Sequence, residues 1–289
     1  MRILDIINST TVFFQKKGLE SPRLQIELLL AHHLNLKRLD LYLQFERELS
    51  DSELEPLREM VKKRAAGMPL QHITRIAPFY GRDFIVTEDV LIPRPETEQL
   101  VEFALGKLRG MHPVDARKLR VLDLCTGSGI IGITLALEMD GIEIVAADIS
   151  QAALEIARRN AGKHLTEEKA VEFIHSDLFS SLAGRFDLVM TNPPYIATDI
   201  IGTLSREVQC DPVLALDGGA DGLEVIRKIM IGSPHFLQPE GWLLIEIGHD
   251  QAVPLVDLFS KNKFQSTGIF KDISGFDRIA TGQMAPTVI

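Results

Sequence analysis

The sequence predicts an α/β protein in which a small all-helical region and a β-hairpin linker precede a seven-stranded, Rossmann-like α/β domain. Three observations support this fold class. Apolar residues recur at helical spacing through about the first 70 residues. Farther along, short apolar runs of strand length alternate with helical patterns, which is typical of a parallel sheet with helical crossovers. The first of these runs ends in a glycine-rich loop that opens a helix.

The length and hydrophobic content of the chain limit its architecture. Its 289 residues are enough for two domains, and we expect a helical substrate-binding domain at 1–70, a linker at 71–92 and the α/β domain at 93–289. Hydrophobic residues make up 45% and charged residues 25% of the chain, as in soluble globular proteins. No apolar run approaches the roughly 18 residues of a transmembrane helix, so we expect no membrane association.

Charge and cysteine content narrow the function classes. The formal net charge of −9 argues against broad binding to DNA, whose phosphates require a cationic surface. Cys125 and Cys210 are far apart and form no metal-binding motif, so no metal site is predicted. A chain with two cysteines fits a reducing compartment, and we expect it to be cytoplasmic.

Four helices are expected in the N-terminal region. An apolar face repeats from Ile3 to Phe14, and Pro22, directly after Ser21, suits the first turn of the next helix. Residues 50–53, Ser-Asp-Ser-Glu, have the pattern of a helix N-cap. We therefore expect helices at about 3–14, 22–34, 38–45 and 52–66.

The pattern changes after Pro69, which marks the end of the last of these helices. Residues 71–73 and 83–86 are predicted as strands around the turn-forming segment 78–81. The segment 90–98, Val-Leu-Ile-Pro-Arg-Pro-Glu-Thr-Glu, then has an extended start fixed by its prolines and begins a helix near Glu96 or Thr97. This stiff, polar segment either borders a ligand pocket or is a simple linker with a helix cap.

A glycine-rich loop follows the first strand of the α/β domain. The strand is predicted at 119–124, the loop is Cys125-Thr126-Gly127-Ser128-Gly129, and a helix is predicted at 130–139. The glycines let the backbone turn tightly and approach a ligand at the N-terminus of the helix. The next strand, 142–147, ends at Asp148, whose carboxylate is placed to accept hydrogen bonds from ribose hydroxyls.

This loop has two readings. Residues 127–132 fit the G-x-G-x-x-G pattern literally, which supports a dinucleotide cofactor. Asp123, however, would repel a pyrophosphate and could instead serve the amino group of a methionine moiety, and Thr126 adds a hydroxyl for that zwitterionic end. We therefore predict S-adenosyl-L-methionine as the cofactor, with a dinucleotide as the alternative.

A third strand is predicted at 170–175, with Ser176 and Asp177 at its end. Asp177 could accept from an adenine amino group, while Leu178 or Phe179 could cover the face of the base. The competing reading is a helix N-cap by Ser176 or Asp177.

The most informative motif is Asn192-Pro193-Pro194-Tyr195, directly after a buried strand at 186–191. Ligands bind at the carboxyl ends of strands in open α/β sheets. The Asn192 carbonyl, a backbone carbonyl and the Tyr195 ring would converge there on one small space. Two acceptors and an aromatic face suit a planar NH2 group, so these four residues are predicted to be catalytic.

The rest of the chain completes the α/β pattern. We expect a long loop at 196–218 of the kind that often forms a lid or binding loop, followed by a helix that ends near Phe236. The remaining predictions are a strand at 242–247, a helix at 251–261 and strands at about 264–271 and 277–281.

These motifs together resemble one known family, the release-factor glutamine methyltransferases, over essentially the whole chain. The resemblance rests on residues 90–98, on Val-Leu-Asp-Leu-Cys-Thr-Gly-Ser-Gly at 121–129, on Asn-Pro-Pro-Tyr-Ile at 192–196, on several residues between 207 and 223, and on Glu-Ile-Gly at 246–248. The Arg-Pro-Glu-Thr-Glu part of 90–98 is the most specific, because Asn-Pro-Pro-Tyr also occurs in DNA adenine methyltransferases.

The resemblance implies a class I methyltransferase domain that methylates the Gln side chain in the Gly-Gly-Gln loop of class I peptide chain release factors. We expect a monomer that binds neither DNA nor membranes. Arg94 and Glu96, together with residues 192–195, are expected to bind the substrate. The expected cofactor contacts are Asp123, Cys125, Thr126, Gly127, Ser128, Gly129, Asp148, Asp177, Leu178 and Asn192.

Two departures from the family pattern are visible. Cys125 and Arg75 each stand where glycine is common in the family, so the pocket shape and the linker geometry at these positions are open. The alternative functions are methylation of a ribosomal-protein glutamine or of DNA adenine, a dinucleotide-dependent oxidoreductase, and a non-catalytic cofactor-binding adaptor.

Overall fold

The computed structural model describes residues 1–111 and 117–286. The chain divides into two compact units. The first comprises Met1–Ile76 and Ser205–Cys210, and the second comprises Ala77–Leu204 and Asp211–Ile289. A short piece of the long loop after the Asn-Pro-Pro-Tyr motif therefore belongs to the N-terminal unit.

The first unit is helical. Its elements are α1 (Ile3–Lys16), α2 (Pro22–His33), a 3-10 helix (Arg38–Leu43), α3 (Asp51–Ala65) and α4 (Leu70–Thr74). The predicted start of α2 is confirmed, with Pro22 in its first turn. The predicted cap of α3 is also confirmed, because Ser50 and Glu53 form a reciprocal capping box. A buried apolar core that includes Ile3, Phe14 and Leu29 holds these helices together.

Two predictions in this unit are wrong in part. The short helix expected near 38–45 is a tighter 3-10 helix. Residues 71–73, predicted as a strand, lie in α4. Five residues are too few for a helical period to show in the sequence, so the pattern of so short a segment does not separate helix from strand.

A buried arginine ties the loop segment Ser205–Cys210 to the helical unit. Arg64 donates to the side chain of Gln25, to the Met68 carbonyl and to the carboxylate of Glu207. Its side chain is only 3% exposed, whereas that of Glu207 is 47% exposed. The guanidinium is therefore held by several partners at once, which is the condition for burying a charge.

Arg75 ends α4 in the left-handed region, with φ of +60°. An L-residue with a side chain costs about 1–2 kcal/mol in this conformation, whereas glycine adopts it freely but loses more chain entropy on folding. Arg75→Gly should therefore be more stable than Arg75→Ala by about 0.5–1 kcal/mol, because both variants lose the same side-chain contacts. Urea unfolding of the two variants measures the difference, and equal midpoints would contradict the left-handed backbone.

The predicted hairpin is present, but its first strand lies at Ile76–Phe79 and not at 71–73. Strands β1 (Ile76–Phe79) and β2 (Arg82–Ile85) are joined by Tyr80 and Gly81, both with positive φ. Two positive φ values in a two-residue loop match the twist of the flanking strands.

A seven-stranded sheet forms the centre of this unit. Its strands are β3 (Leu119–Leu124), β4 (Ile142–Asp148), β5 (Val171–His175), β6 (Phe186–Thr191), β7 (Leu237–Glu246), β8 (Phe264–Lys271) and β9 (Asp277–Met284). The spatial order is β5-β4-β3-β6-β7-β9-β8. The first five strands are parallel, and β9 pairs antiparallel with both β7 and β8. The predicted seven-stranded Rossmann-like fold is confirmed.

Helices cover both faces of the sheet. They are α5 (Thr97–Arg109), α6 (Ile130–Glu138), α7 (Gln151–His164), α8 (Val213–Leu216), α9 (Glu224–Phe236) and α10 (Ala252–Lys261). Residues of α5 and α6 pack in one buried apolar cluster, and residues of α9 and α10 pack in another. Both faces of the parallel strands are therefore buried, which explains why β3 and β6 are nearly continuous apolar runs.

The strand order places the predicted motifs together. The chain runs from β3 outward to β4 and β5, and returns to the other side of β3 with β6. The point where the order reverses lies between β3 and β6, and crevices for ligands form there at the carboxyl ends of the strands. The glycine-rich loop follows β3 and Asn192 follows β6, so both border this switch point.

Candidate active site

A cavity of about 340 Å³ lies within the second unit, at the carboxyl edge of the parallel strands. Its wall is formed by the loop after β3, by the ends of β4, β5 and β6, and by the extended segment before α5. The predicted site residues that line it are Arg94, Cys125, Thr126, Gly127, Ser128, Asp148, Asp177, Leu178, Asn192 and Pro194. The structure thus brings together residues that are up to 100 positions apart in the sequence, from Arg94 to Pro194.

The glycine-rich loop turns through three positive φ angles, at Cys125 (+59°), Gly127 (+56°) and Gly129 (+81°). Gly129 precedes α6, and a Cβ built there would approach Ile133 and Ala157 to about 3 Å. Cys125 occupies a conformation that glycine adopts most easily, which explains why a glycine is expected at this position. Cys125 is partly buried, and the loss of solvent around its thiol raises the pKa of that thiol well above the usual range.

Asp123 does not line the cavity and lies beneath the loop. Its Oδ2 accepts from the Thr126 hydroxyl at 2.6 Å and from the Gly132 N–H at 2.9 Å. The carboxyl is completely buried and holds the loop, so its predicted contact with the cofactor's amino group stays a prediction. Burial raises the pKa of Asp123 to about 7.

Asp148 ends β4 on the cavity wall, as predicted. Its Oδ2 accepts from Gly127 N–H at 2.8 Å, and its Oδ1 accepts from Ser150 N–H at 2.8 Å. Each carboxylate oxygen has a second lone pair, so both can still accept from a ligand hydroxyl. Burial raises the pKa of this carboxyl.

Asp177 and Leu178 line the cavity from a turn after β5. The alternative of a helix N-cap at Ser176 or Asp177 is wrong, because no helix begins there. The Ser176 hydroxyl instead donates to the Leu178 carbonyl and accepts from Ser181 N–H within the turn. Leu178 has a φ of +47°, and this turn points its side chain and that of Asp177 at the cavity.

The Asn-Pro-Pro-Tyr motif is only partly exposed to the cavity. Asn192 and Pro194 line it, whereas Pro193 and Tyr195 do not. Tyr195 packs against the apolar cluster of α9 and α10, and its hydroxyl donates to Oε1 of Glu246 at 3.5 Å. Because Tyr195 does not line the cavity, its predicted stacking on a substrate amide stays a prediction. Burial raises the pKa of Tyr195 far above its usual value.

Arg94 is held at the cavity by a carboxylate that the sequence analysis did not select. Asp211 accepts from the Arg94 guanidinium and, with its other oxygen, from Ile92 N–H at 3.1 Å. Asp211 is almost completely buried, and burial raises its pKa although the Arg94 charge opposes that shift. Glu96 does not line the cavity and directly precedes α5, so its assignment to the substrate stays a prediction.

Two further polar residues brace the site. The completely buried Asn160 of α7 donates to the carbonyls of Ser128 and Ile85, joining the loop to the hairpin. Gln251 donates to the carbonyls of Tyr195 and Gly222. An amide side chain among the apolar residues of a helix indicates a buried polar group. The partners of these two amides lie 29 to 75 positions away, so only the fold identifies them.

Two kinds of feature are absent from residues 1–111 and 117–286. Their His, Cys, Asp and Glu side chains do not gather in a group of three that could hold a metal ion. No helix in these ranges combines the length and the apolar character needed to span a bilayer.

Comparison with known proteins identifies both parts of the chain. Residues 5–74 match the model of the PrmC N-terminal domain, and residues 109–204 match the model of the methyltransferase small domain. Among solved structures, the fold is similar to that of the hMettl16 catalytic domain in complex with MAT2A 3'UTR hairpin 6, with a TM-score of 0.58 and 15% identity. That likeness covers 81% of this chain and 84% of the other, and it concerns the fold alone.

Curated relatives match along nearly the full length. The release factor glutamine methyltransferase of Chlorobaculum tepidum is 40% identical over 282 residues, covering 96% of this chain and 95% of the relative. That of Geobacter sulfurreducens is 38% identical over 284 residues, covering 98% and 96%. The dinucleotide-dependent oxidoreductase is therefore not retained as an alternative. The chain belongs to the release factor glutamine methyltransferase family.

Proposed function

We propose that this protein transfers the methyl group of S-adenosyl-L-methionine to the side-chain amide nitrogen of the Gln in the Gly-Gly-Gln motif of class I peptide chain release factors. Membership of the family supports the reaction and the substrate. The observation that carries the proposal is the placement of Asn192 on the wall of the same cavity as Asp148 and Asp177. An amide acceptor and a site suited to an adenosine moiety thus share one space.

The cavity residues fit the methyl donor. Asp148 offers free lone pairs to ribose hydroxyls, and Asp177 offers an acceptor to an adenine amino group. Leu178 and Ile149 supply apolar surface for the base. The Thr126 hydroxyl gives its proton to Asp123, so toward the cavity it can accept from the ammonium of a methionine moiety. When bound, the cofactor supplies an electrophilic sulfonium methyl group.

The chain's own contribution to the chemistry is to orient the substrate amide. An amide nitrogen is a poor nucleophile because its lone pair is delocalised into the carbonyl. Asn192 Oδ1, accepting from one amide N–H, stabilises the positive charge that develops on nitrogen more strongly than it stabilises the neutral amide. An interaction that strengthens in the transition state raises kcat. No general base is required, since the methylated nitrogen is acidic and can lose its proton to water.

Parallel methylation assays test this function. We expect radioactive methyl transfer from S-adenosyl-L-methionine to a class I release factor, and none to its Gln→Ala variant in the Gly-Gly-Gln motif. A ribosomal protein and double-stranded DNA, offered at the same concentration, should stay unlabelled. Labelling of either one in preference to the release factor would replace the proposed substrate.

We further propose that the helical unit enlarges the surface that recognises the protein substrate. A cavity of about 340 Å³ has little room beyond a cofactor and one side chain. The helical unit exposes Leu39, Tyr42 and Leu43, of which Leu43 is 85% exposed. In the same assays, a short Gly-Gly-Gln peptide should therefore have a much higher KM than the whole release factor. Equal KM values would leave the helical unit without this role.

A further inference from the structure

A chain of buried hydrogen bonds lies directly behind Asn192. Its Nδ2 donates to Thr97 Oγ1 at 3.3 Å. Thr97 Oγ1 lies 2.7 Å from Glu246 Oε2, and the other oxygen of Glu246 accepts from the Tyr195 hydroxyl. Thr97 and Glu246 are each 1% exposed, so water does not compete for these bonds.

The fold brings these residues together from distant parts of the sequence. Thr191 of β6 pairs with Ile245 of β7, so the residues that follow them, Asn192 and Glu246, are neighbours at the carboxyl edge of the sheet. Thr97 is the first residue of α5, which packs against the sheet and presents its N-terminal turn to this edge. The contact spans 149 positions between Thr97 and Glu246.

The number of protons in this chain of bonds determines how the Asn192 amide is oriented. An ionised carboxylate only accepts, so Thr97 must give its single hydroxyl proton to Glu246. The Thr97 oxygen can then only accept, and the amide must turn its NH2 group toward it. Among the described residues, none donates to Asn192 Oδ1. The amide oxygen is therefore left free at the cavity.

We propose that Thr97 and Glu246 are positioning residues that lock the Asn192 amide with its oxygen toward the substrate. This inference rests on the proposed function, in which that oxygen accepts from the Gln side chain. Without the lock, the amide could rotate by half a turn and present its NH2 group, a donor facing another donor. The isolated Asn192 side chain does not select between these two orientations.

Replacement of Thr97 tests the lock. Thr97→Val keeps the shape of the side chain and removes the hydroxyl, so we expect kcat to fall by about 10- to 100-fold. The dissociation constant for S-adenosylhomocysteine should stay unchanged. Thr97→Ser, which restores the hydroxyl, should recover most of the lost kcat. A purely structural role would not give this pattern of a lost kcat, an intact cofactor affinity and a rescue by serine.

Thr134 supplies a matched control. It is a completely buried threonine of α6 whose hydroxyl has no hydrogen-bond partner within the described residues, and it does not line the cavity. Thr134→Val should therefore leave kcat unchanged. If Thr97→Val were as active on the release factor as Thr134→Val, the lock would be refuted while the proposed function stood. If the unaltered protein did not methylate a release factor, the proposed function itself would fail.

The pH dependence of the reaction gives a second test that needs no change at Thr97. Burial raises the pKa of Glu246 to about 7. The titratable and charged groups that face it are Arg278 of β9, Glu96 before α5 and Tyr195 after β6. When the pH is below that pKa, a protonated Glu246 can donate to the Thr97 oxygen. Thr97 can then donate its own proton to the Asn192 side chain, so the orientation of that amide is no longer fixed.

We therefore expect kcat of the unaltered protein to fall as the pH is lowered from 8 to 6. Glu246→Gln carries no titrating group, and its carbonyl can still accept from Thr97. This variant should remain active and lack the fall in kcat between these pH values. A profile for Glu246→Gln that superimposes on that of the unaltered protein would overturn the role given to Glu246.

Discussion

Asn192→Ala is expected to lower kcat for release-factor methylation by about 100-fold or more, which is the scale of losing one acceptor or donor that stabilises a transition state. The affinity for the cofactor should change little, because the Asp148 and Asp177 carboxylates stay in place. The expected result is thus a change in kcat with an unchanged dissociation constant for S-adenosylhomocysteine.

The physical reason lies in how the Asn192 side chain is held. Its Nδ2 is bonded to Thr97, which leaves the oxygen to accept from the substrate. The attacking nitrogen becomes positively charged, and a fixed oxygen dipole stabilises that charge without reorganising. Alanine removes the acceptor and also the group that aims the substrate amide at the methyl carbon. Both losses act on the reaction step and spare cofactor binding.

Single-turnover kinetics with saturating cofactor measure this effect, and calorimetry measures binding. Asn262→Ala is the matched control, since Asn262 follows α10 and does not line the cavity. It should leave kcat unchanged. A kcat for Asn192→Ala close to that of Asn262→Ala would remove Asn192 from the reaction.

The elements that the sequence predicted best are the buried strands and the motifs at their ends. The predicted bounds of β3 and β6 agree with the structure, because parallel strands covered on both faces consist of continuous apolar runs. The position of Asn192 at the switch point follows from the same rule, since it directly follows one of these strands. The local hydrophobic pattern was sufficient to predict an element wherever burial alone determines its bounds.

Side-chain direction and long-range pairing were not visible in the sequence. Asp123 precedes the loop by two residues, yet its carboxyl points under the loop because the strand alternates its side chains between faces. Glu246 ends an apolar run, so its carboxylate is expected to be buried and to need hydrogen-bond partners. Its partners depend on the register between β6 and β7, which no local pattern specifies.

Tyr195 is a second residue whose side-chain direction was not visible in the sequence. An aromatic ring after two prolines was interpreted as a stacking platform for the substrate amide. The structure instead commits the Tyr195 hydroxyl to Glu246 and its carbonyl to Gln251. Tyr195 lies outside the cavity lining, so its contact with the substrate stays a prediction, and composition alone does not separate a supporting residue from a contacting one.

Asp148→Ala is expected to weaken the binding of S-adenosylhomocysteine by about 10- to 100-fold. Hydrogen bonds to a charged group contribute about 1.5–3 kcal/mol each, and each 1.4 kcal/mol corresponds to about tenfold in affinity. The substitution also removes the acceptor of Gly127 N–H and Ser150 N–H, so the glycine-rich loop loses an anchor. At saturating cofactor, kcat should fall less than it does in Asn192→Ala.

Asp177→Ala separates these two causes, because no described N–H donates to the Asp177 carboxylate and its loss leaves the loop anchored. Its effect on affinity should therefore be smaller than that of Asp148→Ala.

Acidification gives an independent check on the role of Asp148. Ribose hydroxyls bind the ionised form of Asp148 better, and burial raises its pKa, so affinity should fall with decreasing pH earlier than for an exposed aspartate. Calorimetry with both variants and at several pH values decides the matter, and an unchanged dissociation constant in Asp148→Ala would exclude Asp148 from the cofactor site.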